Sequence, residues 1–142
     1  MSRLLALDYG SKRVGVAISD KNQPIALPRP IIYYKNTDEL IDVLKNICKQ
    51  ENIDKIIIGL PLNLAGQDTE QTKQTRQFAE LIINKLKLPI VLEDERYTTK
   101  IVADLRSQET KKKYRQQKEY DSQAATVLLQ GYLDKGELGY RC

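Results

Sequence analysis

The sequence contains no histidine and no tryptophan, and only two cysteines, one methionine and one phenylalanine among its 142 residues. Without histidine, Ser-His-Asp and Cys-His catalytic machinery, His-ligated zinc and imidazole acid–base catalysis are excluded. Cys48 and Cys142 lie far apart, with no CxxC or Cys/His spacing to make a zinc or redox motif. Cys48 reads as core and Cys142 as an inert tail thiol. No run reaches the roughly 18 apolar residues of a bilayer span. The first residues pass straight into a strand-like segment without a signal-peptide pattern, so no membrane role and a cytoplasmic location are expected. Any chemistry must come from carboxylates, Lys, Tyr or a metal held by oxygen.

What is present is ordinary for a folded protein: 41% hydrophobic and 30% charged residues. The length fits one domain over 1–142, with a loose tail from about 136. The net charge of +4 and sequence pI near 9.0 suit a polyanionic partner.

Residues Arg3 to Asp8 form a short apolar run closed by Tyr9-Gly10-Ser11, and Val14 to Ser19 resumes strand character, which predicts a hairpin. A third strand is expected around Ile25 to Tyr34, at a sheet edge because Pro28 and Pro30 cannot donate ladder hydrogen bonds. Asn36 with Glu39 resembles a capping box ahead of the stripe Leu40, Ile41, Leu44, Ile47 and Cys48. Lys55 to Leu60 reads as a buried parallel strand. Asp68 with Gln71 caps a second helix carrying Phe78, Ala79, Ile82 and Leu86. Ile90 to Glu93 makes a fifth strand, Thr98 or Thr99 starts a short helix to about Arg106, and a last helix runs from about Glu119 to Lys135. This order predicts an α/β fold with a mixed sheet, an antiparallel meander followed by parallel strands with helical crossovers.

Three acidic positions and one basic stretch invite a functional reading. Asp8 ends the first strand, where it is either a turn residue or a rigidly placed ligand for a hard cation such as Mg²⁺. Asp94 and Glu95 follow the fifth strand, and side-chain alternation allows only one of them to face the side of Asp8. Asp121 is either a helix cap or a carboxylate aimed at the sheet, since it shares a helical face with Ala124, Ala125, Leu128 and Tyr132. Lys111, Lys112, Lys113, Arg115 and Lys118 put five positive charges into eight residues, either a solvated loop or a phosphate-binding segment. Lys12, Arg13 and Arg96 are further candidates for phosphate contact.

Taken together, Asp8-Tyr9-Gly10 with Arg13-Val14-Gly15-Val16-Ala17-Ile18-Ser19-Asp20, then Gly59-Leu60-Pro61, Asp94-Glu95-Arg96-Tyr97-Thr98-Thr99 and Asp121-Ser122-Gln123-Ala124-Ala125 resemble the YqgF/RuvX family. The resemblance covers nearly the whole chain. It implies a ribonuclease-H-like five-stranded sheet in the order 3-2-1-4-5 flanked by helices, and a metal-dependent nuclease. It also implies a role at the 5′ end of pre-16S ribosomal RNA, on ribosome-assembly intermediates, with structured RNA favoured over a DNA junction as partner. By motif, Asp8, Glu95 and Asp121 match the family's carboxylates, which would hold Mg²⁺ or Mn²⁺. One departure from related resolvases stands out. They carry a glutamate at the end of the fourth strand, where this chain has Gly59-Leu60-Pro61. The acid must come from Glu95, which starts two strand spacings, roughly 10 Å, from Asp8. Two rival readings remain, a nucleic-acid-binding module without catalysis and a phosphotransferase, the latter disfavoured because those folds need two such domains.

Overall fold

The computed structural model describes residues 3–95 and 122–141. Five strands form one sheet: β1 (Leu4–Tyr9), β2 (Arg13–Ser19), β3 (Ala26–Tyr33), β4 (Lys55–Leu60) and β5 (Ile90–Asp94). Three described helices accompany it: α1 (Thr37–Gln50), α2 (Glu70–Leu86) and α3 (Gln123–Arg141). The strand order is β3-β2-β1-β4-β5, with β1–β2 and β2–β3 antiparallel and β1–β4 and β4–β5 parallel. This is the expected ribonuclease-H-like order, and it puts β1 at the centre.

Alternation along the strands sorts the core into two layers. Leu5, Leu7, Val14, Val16, Ile18, Ile56 and Ile58 face α1 and α2, where Leu40, Leu44, Phe78 and Ile82 meet them. Leu4, Ala6, Ala17 and Ile57 face the other way and pack against Ala125, Leu128 and Leu129 of α3. The second layer is built from smaller side chains, so α3 lies close on the sheet. Pro30 falls where the β2–β3 register slips between Val14 and Val16, a bulge at the sheet edge that needs no ladder donor there.

Helix starts follow local chemistry. The Asn36 side chain accepts from the Glu39 N–H at 2.8 Å, as expected. The start of α2 differs: its N-cap is Thr69, not Asp68. Thr69 and Thr72 cap each other reciprocally, and the buried Thr72 hydroxyl also donates to the Pro61 carbonyl. Asp68 instead grips Arg76 with both oxygens, at 3.0 and 3.1 Å. A threonine with a second, tertiary acceptor wins the cap over an aspartate drawn to a guanidinium. Helix α3 continues to Arg141, over most of the stretch expected to be loose. The short helix expected after Thr98 lies outside the described residues, and Cys48 is half-buried against the α1–α2 layer.

Candidate active site

Asp8 sits at the carboxyl end of the central strand, paired with Gly15. Leu5, Leu7 and Tyr9 point to the α1–α2 layer, so Asp8 points to the α3 face. The turn beyond it is held from several directions. A Cβ on Gly10 would lie 2.7 Å from the Arg13 carbonyl, so only glycine fits. The Tyr34 hydroxyl donates to the Gly10 carbonyl at 2.5 Å, and the Tyr34 N–H donates to Lys12 at 3.2 Å. The Tyr9 ring stacks on Phe78 with centroids 4.1 Å apart. Asp8 therefore projects from a backbone with little freedom.

Glu95 reaches Asp8 from β5. Its N–H donates to the Leu60 carbonyl at 3.1 Å, which carries the β4–β5 ladder one residue past the strand. With Leu60 opposite Asp94 in register, alternation sends Asp94 to the α1–α2 side and Glu95 to the side of Asp8. The Glu95 side chain then lies across Gly59. A Cβ on Gly59 would come within 2.5 Å of Oε1 and 2.6 Å of Cδ and Cγ. The space that any other side chain at Gly59 would occupy is filled by the Glu95 carboxyl. The gap of two strand spacings is closed, because the strand between carries nothing to block it.

The two carboxyls share a hydrogen bond, and Glu95 is only 8% exposed. Burial first, then the hydrogen bond and charge of Asp8, and last the charge of Asp94, push the Glu95 carboxyl up to about 9. At neutral pH Glu95 is thus protonated and donates to Asp8. Two carboxyls in contact in a buried place need either a shared proton or a cation between them, and an all-oxygen donor pair suits a hard divalent ion. Among the described residues these two acids are not joined by a third to make a three-ligand cluster.

The amino end of α3 closes the other side. Ser122 is buried, its hydroxyl donates to the Arg29 carbonyl at the β3 bulge at 2.8 Å, and its Cβ lies 3.5 Å from a Cβ placed on Gly15. The Asp8 Cβ lies 3.4 Å from the same point. Gly15 therefore leaves room for the start of α3 beside Asp8. Lys12, on the turn that follows Asp8, and Arg13, the first residue of β2, are exposed. Arg96, Lys111, Lys112, Lys113, Arg115, Lys118 and Asp121 lie outside the described residues. Reading the chain by motif overlooked Gly59 as a part of the site, although an interior glycine in an Ile-rich strand is a sign of close approach.

Comparison with known proteins follows the same lines. A family model described as "RuvX: Holliday junction resolvase" matches residues 2–135. A Rickettsia rickettsii (strain Sheila Smith) protein named "Putative pre-16S rRNA nuclease" is 42% identical over 132 residues, covering 92% of this chain and 85% of its own length. A Clostridium novyi (strain NT) protein of the same name is 39% identical over 132 residues, covering 93% and 98%. Among solved structures, Thermus thermophilus RuvC in complex with a Holliday junction substrate superposes with a TM-score of 0.60 at 6% identity, over 98% of this chain and 97% of that one. The Fowlpox virus resolvase bound to Holliday junction DNA gives 0.54 at 13% identity, over 94% and 97%. These two likenesses concern the fold.

Proposed function

The chain belongs to the RuvX family, and from that we propose that it is a metal-dependent endonuclease that hydrolyses phosphodiester bonds, with the 5′ region of pre-16S rRNA as substrate. The observation that carries this reading is the Glu95 carboxyl laid across Gly59 onto Asp8. Such a pair gains nothing for stability and has the chemistry of an Mg²⁺ or Mn²⁺ site. Asp121 is the proposed third ligand, one peptide bond from Ser122, which packs beside Asp8 over Gly15. When bound, the cation lowers the pKa of a water and offsets charge on the leaving oxygen, which serves a chain with no histidine.

The residues divide the work by position. Asp8, held by the central strand and a braced turn, sets the geometry. Glu95 would give up its proton to solvent if a cation were bound and would supply a second anionic oxygen to it. Lys12 and Arg13, exposed just beyond Asp8, and Arg96 just beyond Glu95 in sequence, contact phosphates flanking the scissile bond. Lys111, Lys112, Lys113, Arg115 and Lys118 add sequence-independent affinity. None of the described helices is long and apolar enough to cross a membrane.

The test is cleavage of a 5′-extended 16S rRNA precursor and of a four-way DNA junction by purified protein, with Mg²⁺ or Mn²⁺ and with EDTA. Metal-dependent cleavage of the RNA, lost in Asp8→Asn with the melting temperature preserved, is the expected result. Cleavage of the junction alone would replace RNA with DNA as the substrate. Full activity in Asp8→Asn would remove this pair from the reaction.

A further inference from the structure

At the carboxyl end of β1, on the α2 side of the sheet and so opposite the face to which Asp8 points, lies a small cavity that the carboxylate site does not use. It holds about 150 Å³ and is lined by Tyr9, Gly10 and Ser11 on one side and Gln71 and Gln74 on the other. The volume is below the range of cavities that take drug-sized ligands and suits one sugar or one base edge. Its two walls come from elements with separate reasons to be rigid. The turn wall is fixed by the Tyr34–Gly10 hydrogen bond, by the glycine that Arg13 demands at position 10, and by the Tyr9–Phe78 stack. The helix wall is fixed by the Thr69–Thr72 cap and by Thr75, whose hydroxyl donates to the Gln71 carbonyl at 2.9 Å. Gln71 and Gln74 are exposed residues one helical turn apart, so their carboxamides emerge side by side.

The chemistry of this lining selects its ligand. Carboxamides, a serine hydroxyl and peptide groups each offer both donors and acceptors, and none brings a charge. A phosphate calls for cations or a cluster of N–H donors. A ribose 2′-hydroxyl, which both donates and accepts, calls for the amide and hydroxyl pairs found here. The cavity begins one residue after Asp8 at the same carboxyl end of β1 but on the other face of the sheet, so a strand whose scissile phosphate lay at the carboxylates would reach it only with a flanking nucleotide.

We propose that Gln71 and Gln74, facing Ser11 across this cavity, form a ribose subsite that binds the 2′-hydroxyl of a nucleotide flanking the cleaved bond and makes the enzyme prefer RNA to DNA. The proposal rests on the nuclease reading and deepens it. Asp8, Glu95 and the cation act on a phosphate common to both polymers, so discrimination must come from a group outside them.

The experiment uses the full-length protein with Mn²⁺ and a set of oligonucleotides that are all-ribose except for one 2′-deoxy nucleotide, walked through the positions around the cleavage site. Wild type is expected to lose roughly three- to tenfold in kcat/KM at one flanking position, the size of a lost neutral hydrogen bond. Gln71→Ala and Gln74→Ala, tested singly and together, should lower kcat/KM on all-ribose substrate by a similar factor and become indifferent to that deoxy substitution. Their melting temperatures, with and without Mn²⁺, should match wild type, because both positions are exposed and alanine is a good helix former. Double-variant protein that still penalises the deoxy position as wild type does would overturn the ribose subsite while leaving the nuclease intact. A wild type indifferent to every deoxy position would overturn it too. A wild type that cleaves neither RNA nor DNA would sink the nuclease reading and the subsite with it.

Discussion

Glu95 behaves as an acid kept neutral by its surroundings, and that has a sign in stability. Its carboxyl titrates near its ordinary 4.5 in the unfolded chain and near about 9 in the folded one. Between those values the folded chain holds a proton that the unfolded chain has released, so stability falls as pH rises from about 4.5 to about 9. Glu95→Gln keeps the hydrogen bond to Asp8 and abolishes this slope. In EDTA at pH 8 the variant should be more stable than wild type by at least about 1 kcal/mol, and near pH 4 the two should coincide. Urea midpoints at the two pH values check it, and parallel pH profiles would show that Glu95 is not held protonated. Gly59 is the counterpart of Glu95. Gly59→Ala would put a Cβ within 2.5 Å of Oε1 and 2.6 Å of Cδ and Cγ, so the Glu95 side chain has to move from Cγ outward; none of these three nearest atoms is backbone, so the fold survives and the carboxyl leaves Asp8. Cleavage and Mn²⁺ affinity should drop roughly 10- to 100-fold, the scale seen when a ligand's support is removed. Titration of the metal-induced rise in melting temperature reads this without relying on activity.

Helix α2 shows how a whole element is tied to the site. Its first two turns carry the cap, the bond to Pro61 just past the end of β4, and the two glutamines of the proposed subsite. Thr72→Val keeps the shape and removes the hydroxyl, leaving the half-buried Pro61 carbonyl and the Thr69 N–H short of a partner. A loss of about 1–3 kcal/mol is expected. Thr69→Ala should cost about 1 kcal/mol as an ordinary cap. Asp68→Asn should leave the midpoint nearly unchanged, because its pairing with Arg76 is solvent-exposed and the cap belongs to Thr69. Equal losses at Asp68 and Thr69 would return the cap to Asp68. The pairing of Asp68 with Gln71 suggests Asp68 as the cap, whereas the choice turns on a tertiary acceptor and a guanidinium that local sequence does not reveal.

At the scale of the molecule, the mild positive charge is concentrated in Lys111 to Lys118 rather than spread evenly. Each neutralised phosphate contributes about 0.7 to 0.9 to the slope of log affinity against log salt. Replacing Lys111, Lys112 and Lys113 with Gln should therefore lower that slope by roughly 2 to 3. Binding should weaken on every sequence alike, and kcat should change little because these contacts hold substrate and transition state equally. Fluorescence anisotropy over a salt series measures it. A slope equal to that of the unmodified protein would leave the segment as a solvated loop and put the weight on Lys12, Arg13 and Arg96.

Sequence alone determined the element types and their order, since periodicity, turn residues and prolines are local signals. The meander and the crossovers gave a mixed sheet, the family resemblance supplied its strand order, and the motifs placed Asp8 and Glu95 at strand ends. Alternation allowed only one of Asp94 and Glu95 to face Asp8, and the family motif chose Glu95. Tertiary structure decided whether Glu95 could reach Asp8 across an intervening strand. That depended on an absent side chain at Gly59, on the ladder bond from Glu95 to Leu60, and on the close seat of α3 over Gly15. Each is a contact between residues distant in sequence. The height of the Glu95 pKa belongs to the same class, because it arises from burial, which no single stretch of sequence contains.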